Sequence, residues 1–180
     1  PLDHIFGQVL LAGSLVHGYG LMFPETLSPD HLLSCVERFR LTRMNAVPAL
    51  YLAMAERAEN YDLSTLRVGF IGGAACRAAQ FSLIEERLGM TLLSAYGMSE
   101  GVSITLTSHN DPAELRSRSV GRADPMTELR ILSEEGSSLP AGAEGEIAVK
   151  APSLMLGYYG DAAATAEALT ADGFLHTGDL

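Results

Sequence analysis

Short apolar runs alternate with stretches of helical period through roughly the first half of the chain, and few architectures accept that pattern. It predicts stacked strand–helix–strand units around a mostly parallel sheet with flanking helices, an α/β fold. The strands fall at residues 20–23, 45–47, 66–71 and 91–96. Between them, Ser28 and Pro29 open a helix as cap and first residue, with Leu32, Leu33, Val36 and Phe39 as its buried stripe. Pro48 opens a second helix carrying Leu52, Met54 and Ala55, and residues 78–88 form a third. Glycine-rich turns follow two of the strands, at the ends where open α/β sheets bind ligands.

From about Arg116 the pattern changes. Residues 128–132 and 146–150, separated by a turn-rich stretch, predict a hairpin with a long loop. Residues 161–169 read as an alanine-rich helix with Asp161 in a capping position. The expected division is an α/β subdomain, residues 1–115, followed by a β-rich, barrel-like portion, residues 116–180.

Composition narrows the function classes. A formal charge of -10, with 12 Lys and Arg spread along 180 residues, argues against a nucleic-acid groove, which needs clustered cations. Cys35 and Cys76 are too few for a disulfide framework or a zinc site, which points to small core roles and a reducing, cytoplasmic setting. The apolar stretch 5–20 is interrupted by Gly7, Gly13, His17 and Gly18, is shorter than the ~20 residues that span a bilayer, and has no basic leader before it. The absence of an initial methionine and the ending on Thr177-Gly178-Asp179-Leu180 suggest an interior piece of a longer chain.

Several residues invite a plain reading. His17, His31 and His109 lack metal-ligand spacing. Glu85 and Glu86 read as a solvated helix face, Lys150 as a solvated strand lysine, and Tyr158 and Tyr159 as packing residues without chemistry.

The segment Tyr96-Gly97-Met98-Ser99-Glu100 carries more information. It reads as a loop after a buried strand in which each residue has a use at a nucleotide. An aromatic face stacks on a base, glycine admits a close backbone approach, serine offers a hydroxyl to a phosphate oxygen, and a carboxylate is a hard ligand for Mg²⁺. Taken alone, the same residues fit a tight turn with a partly buried tyrosine. Residues 97–101 also spell Gly-x-Ser-x-Gly, the nucleophile elbow of α/β-hydrolases, with Asp161 or Asp172 and His176 downstream to complete a triad. An elbow needs a helix directly after its serine, whereas residues 102–107 are β-branched and alternating.

With these residues in view, the sequence resembles the adenylate-forming superfamily of acyl-CoA synthetases, aryl-CoA ligases, luciferases and peptide-synthetase adenylation domains. The family's Tyr-Gly-x-Thr/Ser-Glu loop is matched by residues 96–100, its Gly-Gly-Ala turn by Gly72-Gly73-Ala74, and its Pro-Leu-x-His-x-x-Gly segment by residues 1–7. Val-Gly follows at 120–121, Gly-Glu-Ile at 145–147, Gly-Tyr-Tyr at 157–159, and Gly-Phe-x-x-Thr-Gly-Asp-Leu at 173–180. One such match would be weak, and together, in order over nearly the whole chain, they are strong.

The resemblance implies a flavodoxin-like first subdomain and a set of roles. Tyr96 would stack on adenine, with Gly97 and Met98 beside it, Ser99 would touch the α-phosphate, and Glu100 would hold Mg²⁺. Asp179 would accept both ribose hydroxyls, Gly72, Gly73 and Ala74 would line the adenine and acyl pocket, and His4 would meet or gate the acyl carboxylate. The implied reaction joins a carboxylic acid to ATP, giving acyl-adenylate and pyrophosphate, and then transfers the acyl group to coenzyme A. Catalysis of that kind is mainly positioning and charge stabilisation.

The departures matter too. Ser99 stands where threonine is commoner, and Asp3 in a place that is often aromatic. The family's Ser/Thr/Gly-rich phosphate loop would lie upstream of Pro1, and its later arginine, hinge and lid lysine beyond Leu180. The 180 residues alone are therefore expected to be inactive and to self-associate, with the missing N- and C-terminal parts of the parent chain as their natural partners. A non-catalytic nucleotide-binding module is the further alternative.

Overall fold

A computed structural model describes residues 2–180, and Pro1, the first residue of the Pro-Leu-x-His segment, lies outside the described residues. The described residues form two compact units, one of residues 2–96 with 105–122 and the other of 97–104 with 123–180. The division at 115/116 drawn from the sequence is kept as a proposal about how the chain is organised.

In the first unit, α1 (Ile5–His17) opens under a cap from His4, whose Nδ1 accepts the Phe6 amide, and closes at Gly18 in the left-handed region. Gly13 lets Tyr19 fold back on the helix, its hydroxyl donating to the Leu10 carbonyl at 3.1 Å. Residues 20–23 are not a strand, because the chain there is a connector without a ladder partner. Ser28 caps α2 (Pro29–Phe39) as expected, and Leu32, Leu33 and Val36 are buried. Phe39 is exposed instead, at the last turn before Arg40 ends the helix with a left-handed backbone.

The sheet begins with β1 (Arg43–Ala46), two residues earlier than the apolar run suggests, because Val47 caps α3 (Pro48–Ala55). A 3-10 turn at Ala58–Asn60 leads on to β2 (Val68–Ile71), then α4 (Ala78–Leu88) and β3 (Thr91–Met98). The strand order is β1-β2-β3-β4-β5, with β1, β2 and β3 parallel. Tyr51 ties the layers together. Its ring is buried, its hydroxyl donates to the carbonyls of Met44 and Phe70, and Gly69 on β2 leaves the space that this hydroxyl occupies. Leu33, Met54, Phe81, Ile84, Leu88 and Leu92 close the core around it.

β3 continues through Tyr96 and Gly97 to Met98, so the segment read as a loop is the end of a strand followed by a short turn. β4 (Val102–Leu106) starts directly afterwards, and α5 (Ala113–Arg118) and β5 (Arg122–Ala123) follow. Glu85, far from being a solvated face, accepts the Leu92 amide at 2.7 Å and pairs with Arg116 at 2.8 Å. Arg116 also donates to the carbonyls of Leu92 and Asp111, and so fastens α4, β3 and α5 through one guanidinium.

The second unit is built on the hairpin read from the sequence. β6 (Glu128–Leu132) pairs antiparallel with β7 (Glu146–Lys150) from Glu128↔Lys150 to Leu132↔Glu146. α6 (Ala162–Ala168) is capped by Asp161, and β8 (Leu175–His176) adds antiparallel to β7. Leu132, Ala148 and Phe174 form its core, with the Arg130 guanidinium 3.8 Å from the Phe174 ring centroid. Lys150 is indeed exposed, and its Nζ donates to the Asp172 carbonyl. No helix among the described residues is long and apolar enough to cross a membrane.

Candidate functional site

Within the first unit, the parallel register Ile71↔Ser94 sets the turn after β2 beside the end of β3. A Cβ on Gly72 would meet the Ala95 carbonyl oxygen at 2.5 Å and the Phe6 ring at 3.1 Å, so glycine is required by the close passage of a neighbouring strand. Gly73 has φ +76°, a conformation that side chains resist. The structure thus gathers the first turn of α1, the Gly72-Gly73-Ala74 turn and the strand end leading to Tyr96. Tyr96 is half-buried, Gly73 and Ala74 are exposed, and His4 is exposed with one ring nitrogen engaged as a helix cap.

Within the second unit, the turn after β3 is held from several sides. A Cβ on Gly97 would collide with the Val102 carbonyl. The sequence suggested that this glycine admits a ligand, but the immediate reason is the return of its own chain. Val102 sits at φ 65°, unusual for a β-branched residue and worth about 1–3 kcal/mol of strain, stored where the turn joins β4. Ser99 is exposed at the tip. The Glu100 carbonyl accepts the Met155 amide at 2.7 Å, the Gly101 carbonyl accepts the Ser153 hydroxyl, and a Glu100 carboxylate oxygen accepts the Tyr158 hydroxyl at 2.9 Å. That bond to a carboxylate raises the Tyr158 hydroxyl above its ordinary range, and burial adds to the shift. Tyr158 was read from sequence as a packing residue. Its link to Glu100 spans a separation that no local pattern reveals.

The Thr177-Gly178-Asp179 turn is fixed with equal thoroughness. The Asp179 carbonyl accepts the Ile147 amide, the Thr177 amide and hydroxyl both donate to the Ile147 carbonyl, and the Asp179 amide donates to the Thr177 hydroxyl. Glu146 holds the same turn through its side chain, taking the Gly178 amide on one oxygen at 3.0 Å and meeting His176 Nδ1 with the other at 2.8 Å. Burial pushes the Glu146 carboxyl up, but the bonds from His176 and Gly178 outweigh it and leave the group below its ordinary value. An open cleft of about 800 Å³ lies against this turn, lined by Glu146, Tyr158, Asp161, Glu167, His176 and Thr177 among others.

The hydrolase alternative loses its geometry. β4 rather than a helix follows Ser99, His176 is engaged with Glu146, and Asp161 caps α6 through the Ala164 amide. Among the described residues no group of three or more His, Cys, Asp or Glu could hold a metal ion. Mg²⁺ carried with a nucleotide asks only for one or two carboxylates beside phosphate oxygens, and Glu100, half-buried on a braced turn, suits that demand.

An α/β unit with glycine turns at its strand ends, joined to a unit built on an antiparallel sheet, is of the class of folds that place ligand-binding turns at the ends of parallel strands. The match to AMP-binding enzymes runs over residues 1–159, and the chain belongs to that family. It is 35% identical to a feruloyl-CoA synthase of Amycolatopsis sp, over 100% of this chain and 37% of that protein. The crystal structure of ATP-bound MatB from Rhodopseudomonas palustris superimposes on 99% of the chain and 35% of its own length, with a TM-score of 0.88 at 27% identity. The amide bond synthetase McbA from Marinactinospora thermotolerans matches 83% of the chain and 31% of its own at 36% identity, with a TM-score of 0.77. The chain spans about a third of the length of such relatives.

Proposed function

We propose that these residues form the interior part of an ATP-dependent acyl-CoA synthetase acting in the reducing cytoplasm. The observation that carries the reading is the Thr177-Gly178-Asp179 turn, whose backbone is locked to β7 and which presents an exposed carboxylate. Two adjacent ribose hydroxyls need an acceptor of that kind, since a carboxylate takes two hydrogen bonds at once. Tyr96 stacks on adenine, Gly72, Gly73 and Ala74 line the flat face of the pocket, and Gly97 and Met98 lead to Ser99, whose hydroxyl meets the α-phosphate. Glu100 holds Mg²⁺, which when bound neutralises phosphate charge, and His4 meets the acyl carboxylate.

In the first half-reaction a carboxylate oxygen attacks the α-phosphorus and pyrophosphate departs. In the second the coenzyme A thiol attacks the acyl carbon and AMP departs. No side chain acts as nucleophile, so the residues contribute by placement and charge. Support for coenzyme A as acceptor comes from the feruloyl-CoA synthase relative, and the amide bond synthetase makes an amine the competing acceptor.

The full-length protein, offered a panel of aliphatic and aromatic acids, should catalyse acid-dependent exchange of pyrophosphate into ATP. Asp179→Ala should raise the KM for ATP by roughly 10-fold or more, as loss of hydrogen bonds to a charged group demands. Exchange unaffected by that substitution would remove the assignment. The 180 residues alone should show no exchange, because Lys150, the one lysine, is tied to Asp172 and Phe174.

A further inference from the structure

We infer that Glu146 is a positioning residue for nucleotide selection, setting the place of the Asp179 carboxylate through the turn it grips. The inference rests on the proposed ribose role of Asp179. Asp179 is the third residue beyond the end of β8, and the residue before it, Gly178, has φ +73°, a conformation that glycine adopts without resistance. Left to itself such a turn has several backbone arrangements. Ile147 fixes its two ends, at Thr177 and Asp179, and Glu146 grips its middle, at the Gly178 amide.

The second oxygen of Glu146 is engaged by His176, so the carboxylate cannot rotate away without breaking both bonds. Although burial pushes its carboxyl up, the group lies below its ordinary value because those two donors hold the charged form. Glu146 lies at the start of β7, in the Leu132↔Glu146 pair, and its own backbone is therefore rigid. A rigid strand, a doubly engaged carboxylate and a glycine amide form a continuous support for an acceptor that must match two hydroxyls a fixed distance apart.

The test reads sugar discrimination in the full-length enzyme, as the ratio of kcat/KM for ATP to that for 2′-deoxyATP in acid-dependent pyrophosphate exchange. Asp179→Ala is the reference and should bring the ratio close to one. Glu146→Ala should lower the ratio by roughly 10-fold, chiefly through the KM for ATP, with kcat little changed. Glu146→Gln, which can still accept from Gly178 and donate to His176, should restore most of it. In an Asp179→Ala background Glu146→Ala should add nothing further. If Glu146→Ala does not fold, Glu146→Asp, one methylene too short to reach both partners, takes its place with the same readout. A ratio unchanged by Glu146→Ala while Asp179→Ala abolishes it overturns this inference and leaves the ribose assignment standing. A ratio unchanged by Asp179→Ala removes both.

Discussion

At the scale of single residues, the turn after β3 is shaped by conflicts its own chain must resolve. Gly97 exists to let the Val102 carbonyl pass, and Val102 accepts a left-handed backbone in return. The product is a Glu100 side chain whose carboxylate is within reach of Tyr158, itself anchored by its amide to the Thr165 hydroxyl at 2.9 Å. If Glu100 holds Mg²⁺, removing the Tyr158 hydroxyl frees the carboxylate to wander. Tyr158→Phe should therefore raise the Mg²⁺ concentration for half-maximal exchange by roughly 10-fold while leaving the melting temperature unchanged. Titration of exchange rate against Mg²⁺ checks this, and an unshifted curve would return Tyr158 to a packing role.

At the scale of elements, α4, β3 and α5 are joined by one charged cluster rather than by apolar contact alone. Arg116 and Glu85 are 11% and 19% exposed, and their pairing also satisfies the Leu92 amide and carbonyl. Truncation leaves Glu85 charged in a mostly dry place, so Arg116→Ala should cost roughly 3 kcal/mol, the lower end for breaking a buried pair. Denaturant unfolding measures it, and Glu85→Leu combined with Arg116→Ala should be less damaging than the sum of the two. This cluster also marks the limit of sequence reading. Helix α4 was legible to the residue because Phe81, Ile84 and Leu88 repeat on one face, and the β6–β7 hairpin because its strands alternate around a turn-rich loop. The role of Glu85 was not, since its partner lies 31 residues away and a charged pair on a helix ordinarily faces water. The turns at Gly72 and Gly178 were found as motifs, whereas the grips of Glu146 and Tyr158 on the site depend on pairing that periodicity does not encode.

At the scale of the whole molecule, acid should unfold this protein from the carboxylates inward. The Ser64 hydroxyl and amide and the Arg40 guanidinium hold Asp62 down at about 2, and the Ser108 amide with Arg122 lowers Asp111. A carboxylate depressed in the folded state stabilises it above the unfolded value and loses that contribution as pH falls through the folded one. Stability should thus decline from about pH 4 towards about pH 2, where the unfolded chain binds the extra protons. Urea midpoints across that window check the sign, and Asp62→Asn should flatten the slope. The surface leads to a separate expectation. Leu15 and Val16 on α1 are 78% and 76% exposed, and Leu156 and Tyr159 are fully so, a share of large apolar side chains that water penalises. Relatives about three times as long have further chain available to cover such faces. The 180-residue polypeptide, lacking that cover, should sediment above its 19.1 kDa monomer mass in a concentration-dependent way. Leu15→Ser with Val16→Ser should lower the association, because it removes exposed apolar area without touching the buried core, and a wild-type boundary that stays monomeric at every concentration would contradict the expectation.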